Sequence, residues 1–153
     1  KWHVDVDALG GMLGESLLWM VPLILLAVLA GRAISAEAAN VLERYVAARV
    51  LSALGAGVYE EFIFRLVGMS LFLFVFTDVL NIPRKHVVVI GVICTSVAFS
   101  LYHFLGAETF NWYGFGYRLA AGVYLAEIYI HRGFGIAVGA HAAYNVAVVL
   151  ALR

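Results

Sequence analysis

Residues 60–76 read "EEFIFRLVGMSLFLFVF": two adjacent carboxylates and one arginine, followed by eleven residues without a charge. An apolar run this long needs about 20 residues in all to cross a bilayer as a helix. Here it extends from about Val58 to Leu80. The residues do not alternate in polarity, so a transmembrane strand is a poor reading and a helix a good one. The acidic pair at its start is then the feature to explain, because ionisable groups in a membrane helix face the bundle interior or a water-filled cavity.

The rest of the chain supports the membrane reading. Of 153 residues, 64% are hydrophobic and 13% charged, where a soluble domain carries about 45–50% and about 25%. Mean hydropathy is +0.96. Net charge is zero, which leaves no basic footprint for nucleic acid. The single cysteine, Cys94, can form no internal disulfide and lacks metal-type spacing. The opening "KWHVDVDALGGMLGES" is acidic and has no cationic start, so it is not a signal peptide. The chain starts with Lys1, which fits a fragment whose upstream spans are missing.

Working outward, a first span is expected near Leu13–Ala30. The segment "GRAISAEAANVLERYVAARVLSALGAG" (31–57) follows, charged in its first half with Glu37, Glu43, Arg44 and Arg49. It reads as an amphipathic interfacial helix, weakened at its end by Gly55 and Gly57. After Val58–Leu80, "NIPRKH" (81–86) breaks the chain, and Arg84 and Lys85 mark a membrane surface. A third span covers His86 to about Leu105. The loop "GAETFNWYG" carries Trp112 and Tyr113 as interfacial anchors. A fourth span covers Tyr113–Ile130, "HRG" (131–133) turns the chain, and a fifth covers Phe134–Leu152. The expected fold is an all-α polytopic transmembrane bundle of about five spans plus one amphipathic helix, in a single domain over residues 1–153. Its compactness and small-residue content suggest a bacterial inner-membrane protein. The positive-inside rule leaves the orientation tied, and the oligomeric state is not legible.

Several ionisable or polar groups lie inside these spans. Glu60 precedes Leu80 by 20 residues and His103 follows His86 by 17. On antiparallel helices sharing the "NIPRKH" turn, both lie roughly 25–30 Å from it and level with each other. His141 and Asn145 lie roughly 12–18 Å in from "HRG"; tilt or a break at the glycines of 133–139 would bring them to the same layer. Glu61 and Arg65 are spaced i,i+4 with the acid first, the favourable order, while Glu60 points about 100° away. His141 and Asn145 share a face, as do Phe99 and His103. Each has a plain structural reading: a helix ion pair for Glu61–Arg65, a satisfied core residue for His103, interhelical glue for Asn145. Arg118 and Glu127 read as structural pairs, and "LFLFVF" as packing. The group as a whole is harder to explain by packing alone.

No G-x-S-x-G, Ser–Lys or H-E-x-x-H pattern is present. The inventory fits an activated water instead. A carboxylate and a histidine can take its proton and deliver it to a leaving amine, and a second histidine with an amide can stabilise an oxyanion. Two histidines and a glutamate could equally form an open zinc site. Spacing alone leaves both open. A transporter would also place ionisable groups at mid-membrane, but it predicts inverted repeats, and none is visible.

"EEFIFR" (60–65) matches E-E-x-x-x-R, "FSLYH" (99–103) matches F-x-x-x-H, and "HAAYN" (141–145) matches H-x-x-x-N. In this order, on successive helices, they resemble the CPBP or Abi family of intramembrane proteases. That family includes type II CAAX prenyl endopeptidases, bacteriocin self-immunity proteins and myxosortase-like enzymes. The segment between "FGYRLAAGVY" (115–124) and His141 is also similar to the family. The resemblance implies hydrolysis of a membrane-associated peptide or protein, prenylated CAAX-type substrates included. It implies that Glu60 and His103 activate water, that His141 and Asn145 stabilise the oxyanion, and that Glu61, Arg65 and Phe99 support the site. It further implies a glutamate-type site without a cofactor, with zinc the alternative. Family members commonly have six to eight spans, which upstream helices would supply here. A non-catalytic scaffold or immunity protein of the same family is the competing reading.

Overall fold

The computed structural model describes residues 5–30, 46–105 and 108–151. Every described element is helical: α1 (Val6–Leu29), α2 (Val46–Glu61), a π-helical segment (Phe62–Met69), α3 (Ser70–Leu73), a second π-helical segment (Phe74–Val79), α4 (Arg84–Tyr102), α5 (Trp112–Arg132) and α6 (Phe134–Ala151). From α2 to the second π segment the helix is continuous, and four helices are long and apolar enough to cross a membrane: Val6–Leu29, Ala48–Val79, Arg84–Tyr102 and Phe134–Ala151. Large apolar side chains cover their outer surfaces, with Leu18 74% and Val28 67% exposed. Such a surface suits lipid and not water.

Two expectations change. Val58–Leu80 was the expected second span, yet the helix begins well before Val58 and passes through Gly55 and Gly57. Gly57 does not weaken it, because that position is a contact: a Cβ there would sit 2.9 Å from the Ala142 Cα. The residues expected to form the second half of an amphipathic helix therefore belong to the long apolar one. The first half, 31–45, lies outside the described residues. The expected fourth span does form a helix, α5, but it is not among the four apolar enough to cross. Arg118, Glu127, His131 and Arg132 reduce its apolar run.

The chain divides into two compact units. The first comprises Lys1–Val58 and Gly135–Arg153. Asp5 caps α1, its carboxylate accepting from the Ala8 N–H at 3.0 Å. Within this unit α6 presents a small-residue face. A Cβ on Gly139 would collide with the Ser16 side chain, and one on Gly135 would lie 2.7 Å from the Met12 methyl. Small residues four apart let helices approach closely where lipid supplies no hydrophobic drive.

The second unit is Tyr59–Phe134. Its helices are joined by a tight turn in which Asn81 takes φ 53°, a left-handed conformation asparagine tolerates. Pro83 then opens α4. Asn111 caps α5, accepting from the Gly114 N–H at 2.6 Å, and Gly133, at φ 87°, ends it. Met69, Val92 and Ala126 form a fully enclosed centre. Gly91 backs onto Met69 and Phe72, and Gly122 onto Ser96 and Phe99. No break follows Gly133: α6 runs unbroken from Phe134, through Gly135 and Gly139.

Candidate active site

Glu61 and Arg65 are the most enclosed charges in the second unit, each with 0% of its surface exposed. The Arg65 Nε lies 3.1 Å from the Glu61 Oε2. An ion pair so buried is favoured only as far as its remaining polar atoms are also met. Arg65 donates from Nη2 to the Gly122 carbonyl at 3.0 Å and its guanidinium lies 4.6 Å over the Phe99 ring, while its buried Nη1 makes no hydrogen bond. Arg65 sits in the first π-helical segment, directly after the glutamate pair. Such wider turns recur at functional sites.

Glu60 and Glu61 diverge, as their adjacent helical positions require. The Glu60 side chain remains 13% exposed and the His103 side chain 24%. The Glu60 Oε1 faces the His103 Nε2 at 3.7 Å. His103 ends α4 and its Nδ1 lies 2.9 Å from the Phe99 carbonyl. A carbonyl can only accept, so Nδ1 carries the proton. The last carbonyls of a helix lack onward partners, and the His103 ring meets one of them. In the neutral ring, Nε2 then turns a lone pair toward a carboxylate oxygen. Two acceptors at 3.7 Å need a hydrogen between them, either on the imidazole or on a molecule that donates to both.

Phe99 links the two pairs. Its ring packs edge-on against His103 at 4.9 Å and against Phe64 at 5.5 Å, while Arg65 covers its face. The level heights expected for Glu60 and His103 are met by their 3.7 Å approach. Arg118 is salt-bridged to Glu108 at 2.6 Å and covers Phe104 at 5.0 Å. That bond ties the segment after His103 to α5. Glu127 pairs with His131 at 3.3 Å. Both are the structural pairs the sequence suggested, although neither partner was legible there. Gly122 was also missed as a partner of Arg65. The available signal was the spacing of Gly114, Gly122 and Ala126 around Arg118, a small-residue face on α5. Cys94 is exposed on α4 and belongs to no such cluster.

His141 and Asn145 belong to the first unit, one turn apart on α6. His141 is buried, and Asn145 is half-buried, donating from Nδ2 to the Ala53 carbonyl at 3.2 Å. That bond leaves one amide hydrogen of Asn145 for another acceptor. Among the described residues, no three His, Cys, Asp or Glu side chains gather as a metal ion requires.

A family model described as "Type II CAAX prenyl endopeptidase Rce1-like" matches residues 42–147. No curated protein and no solved structure matches the chain.

Proposed function

The chain belongs to the Rce1-like family of type II CAAX prenyl endopeptidases, a family of integral multi-pass membrane proteases, and from that premise we propose that it cleaves its substrate with a water held between Glu60 and His103. Glu60 takes a proton from the water as the new C–O bond forms. The carbonyl π electrons move to oxygen, and the oxyanion accepts hydrogen bonds from His141 and Asn145. Collapse breaks the C–N bond, and the proton held by the Glu60–His103 pair passes to the leaving amine. Glu61 and Arg65 do not touch the reacting atoms. They hold the helix that presents Glu60, and Phe99 carries that order to His103.

The observation that supports this reading is the facing of two bases across 3.7 Å with the His103 tautomer fixed from behind by the Phe99 carbonyl. A water that donates to both satisfies each lone pair and aligns its own oxygen for attack. The motif order supports the roles of His141 and Asn145. The pairing of Glu61 with Arg65 supports a site that works without zinc, since one of the two carboxylates is already engaged by a guanidinium. We further propose one functional domain over residues 1–153, with α5 as a fifth transmembrane segment and an interfacial helix beside the spans. The substrate is a membrane-associated peptide or protein, with a prenylated CAAX-type C-terminus the first to try.

The test is Glu60→Gln beside wild type, with a prenylated CAAX peptide in liposomes. Gln keeps the shape and loses the base. Melting in detergent is expected to hold while cleavage falls about 10²–10⁴-fold. Turnover near wild type would remove Glu60 from the mechanism.

A further inference from the structure

The second unit carries a groove of about 500 Å³ whose charged end, Asp78 and Arg84, lies at the far end of the helices that carry Glu60 and His103. Its walls are Leu66, Leu73, Phe74, Val88 and Ile130, and its polar groups are Asp78, Arg84 and the Ser70 and Tyr129 hydroxyls. We propose that this groove binds a phospholipid whose headgroup carries both a phosphate and a primary ammonium.

The groove's length and polarity run the way a lipid does. Leu66 and Asp78 are separated by roughly 18 Å along the helix, a little more than one leaflet of a hydrocarbon core that is ~30 Å thick. The apolar lining occupies that depth, whereas Asp78 and Arg84 flank the turn at residues 80–83, where the chain meets the membrane surface. The volume falls within the range of small-molecule pockets, about 300–1,000 Å³, enough for a headgroup and the upper part of its acyl chains.

Charge decides the headgroup. Asp78 and Arg84 are exposed, and among the described residues they form no ion pair with each other. One acid and one base at the same mouth suit a zwitterion better than an anion. The Arg84 guanidinium takes phosphate oxygens through two parallel N–H bonds. The Asp78 carboxylate takes the ammonium, provided that the ammonium has hydrogens to donate. A trimethylated ammonium has none, so choline pairs by charge alone. An anionic glycerol headgroup gives Asp78 no cation and is repelled by it. Deeper in the wall the Ser70 and Tyr129 hydroxyls lie 2.9 Å apart. One donates to the other, which leaves a single hydroxyl hydrogen for a further acceptor such as an acyl ester carbonyl. A basic membrane face acting through Arg84 and Lys85 alone would give the opposite order and favour anionic lipid.

The experiment is native mass spectrometry of the delipidated full chain given equal amounts of a phosphatidylethanolamine, a phosphatidylcholine and a phosphatidylglycerol with the same acyl chains. One phosphatidylethanolamine per chain is expected to be retained most strongly. Asp78→Asn is expected to lower that retention about ten- to a hundredfold, to the level of phosphatidylcholine, and Arg84→Gln to weaken all three lipids. Both side chains are exposed, and lipid-free melting shows whether each variant folds. Equal retention of all three lipids by the wild-type chain overturns the proposal, and so does preferred retention of phosphatidylglycerol. These outcomes need no variant. Unchanged phosphatidylethanolamine preference in Asp78→Asn overturns it as well.

Discussion

Replacing Arg65 by Met removes the guanidinium and keeps most of the side-chain volume, so the loss reads electrostatics and not a cavity. The Glu61 carboxylate would remain fully enclosed with the Arg65 guanidinium gone. Breaking a buried pair by removing one partner costs about 3–5 kcal/mol. The Gly122 carbonyl would also lose its 3.0 Å donor, although that loss overlaps with the first and does not simply add. For a chain of this size each kcal/mol shifts the melting midpoint by about 2–4 °C. Arg65→Met is therefore expected to melt roughly 6–20 °C below wild type in detergent, at one scan rate for all variants. The decisive variant is the double change Glu61→Leu with Arg65→Met. It removes both charges of the pair, so it is expected to recover most of the midpoint, since apolar replacement of a whole buried pair is often close to neutral. Coupling between the two sites should exceed about 1 kcal/mol. A single variant that melts like wild type, or a double variant that loses the sum of both singles, would refute the enclosed-pair argument. Cleavage by the same proteins checks the role. If the double variant melts normally yet cleaves nothing, one of the pair touches the reacting atoms and the supporting assignment fails.

Gly122→Ala would place a Cβ 3.1 Å from the Ser96 Cβ and 3.2 Å from the Phe99 ring. Overpacking of about 1–3 kcal/mol outweighs the ~1 kcal/mol that alanine contributes in a helix, so a small fall in melting is expected, with a larger fall in kcat as Phe99 shifts under His103; a raised midpoint with full kcat would show that Phe99 positions nothing. Purified protein is expected to contain less than one zinc per chain and to keep its activity in EDTA, while His141→Ala abolishes cleavage and Asn145→Ala weakens it. Stoichiometric zinc by elemental analysis, with activity lost on chelation and restored by metal, would reassign His103 and His141 as ligands.

What could be read from the sequence was whatever a single helix decides. The i,i+4 spacing of Glu61 and Arg65, the divergence of Glu60 and the shared face of Phe99 and His103 follow from helical geometry, and so does the level meeting of Glu60 and His103 across one short turn. What depends on a neighbouring helix was not readable. Gly57 looked like a helix weakener because its cost is intrinsic to the chain, whereas its function is the close approach of Ala142. Arg118 had no visible partner because Glu108 lies across a loop whose path the chain alone does not fix. The Gly122 carbonyl could not be assigned to Arg65 for a related reason. A backbone carbonyl has no letter in the sequence, and only the absent Cβ hints that another helix comes near. The composition of α5 follows from this. Its small residues admit Ser96 and Phe99, and its arginine holds the segment after His103, so the helix with the weakest apolar signal braces the histidine face of the site. A helix under that obligation cannot also be uniformly apolar, which is why α5 is not among the four helices apolar enough to cross a membrane.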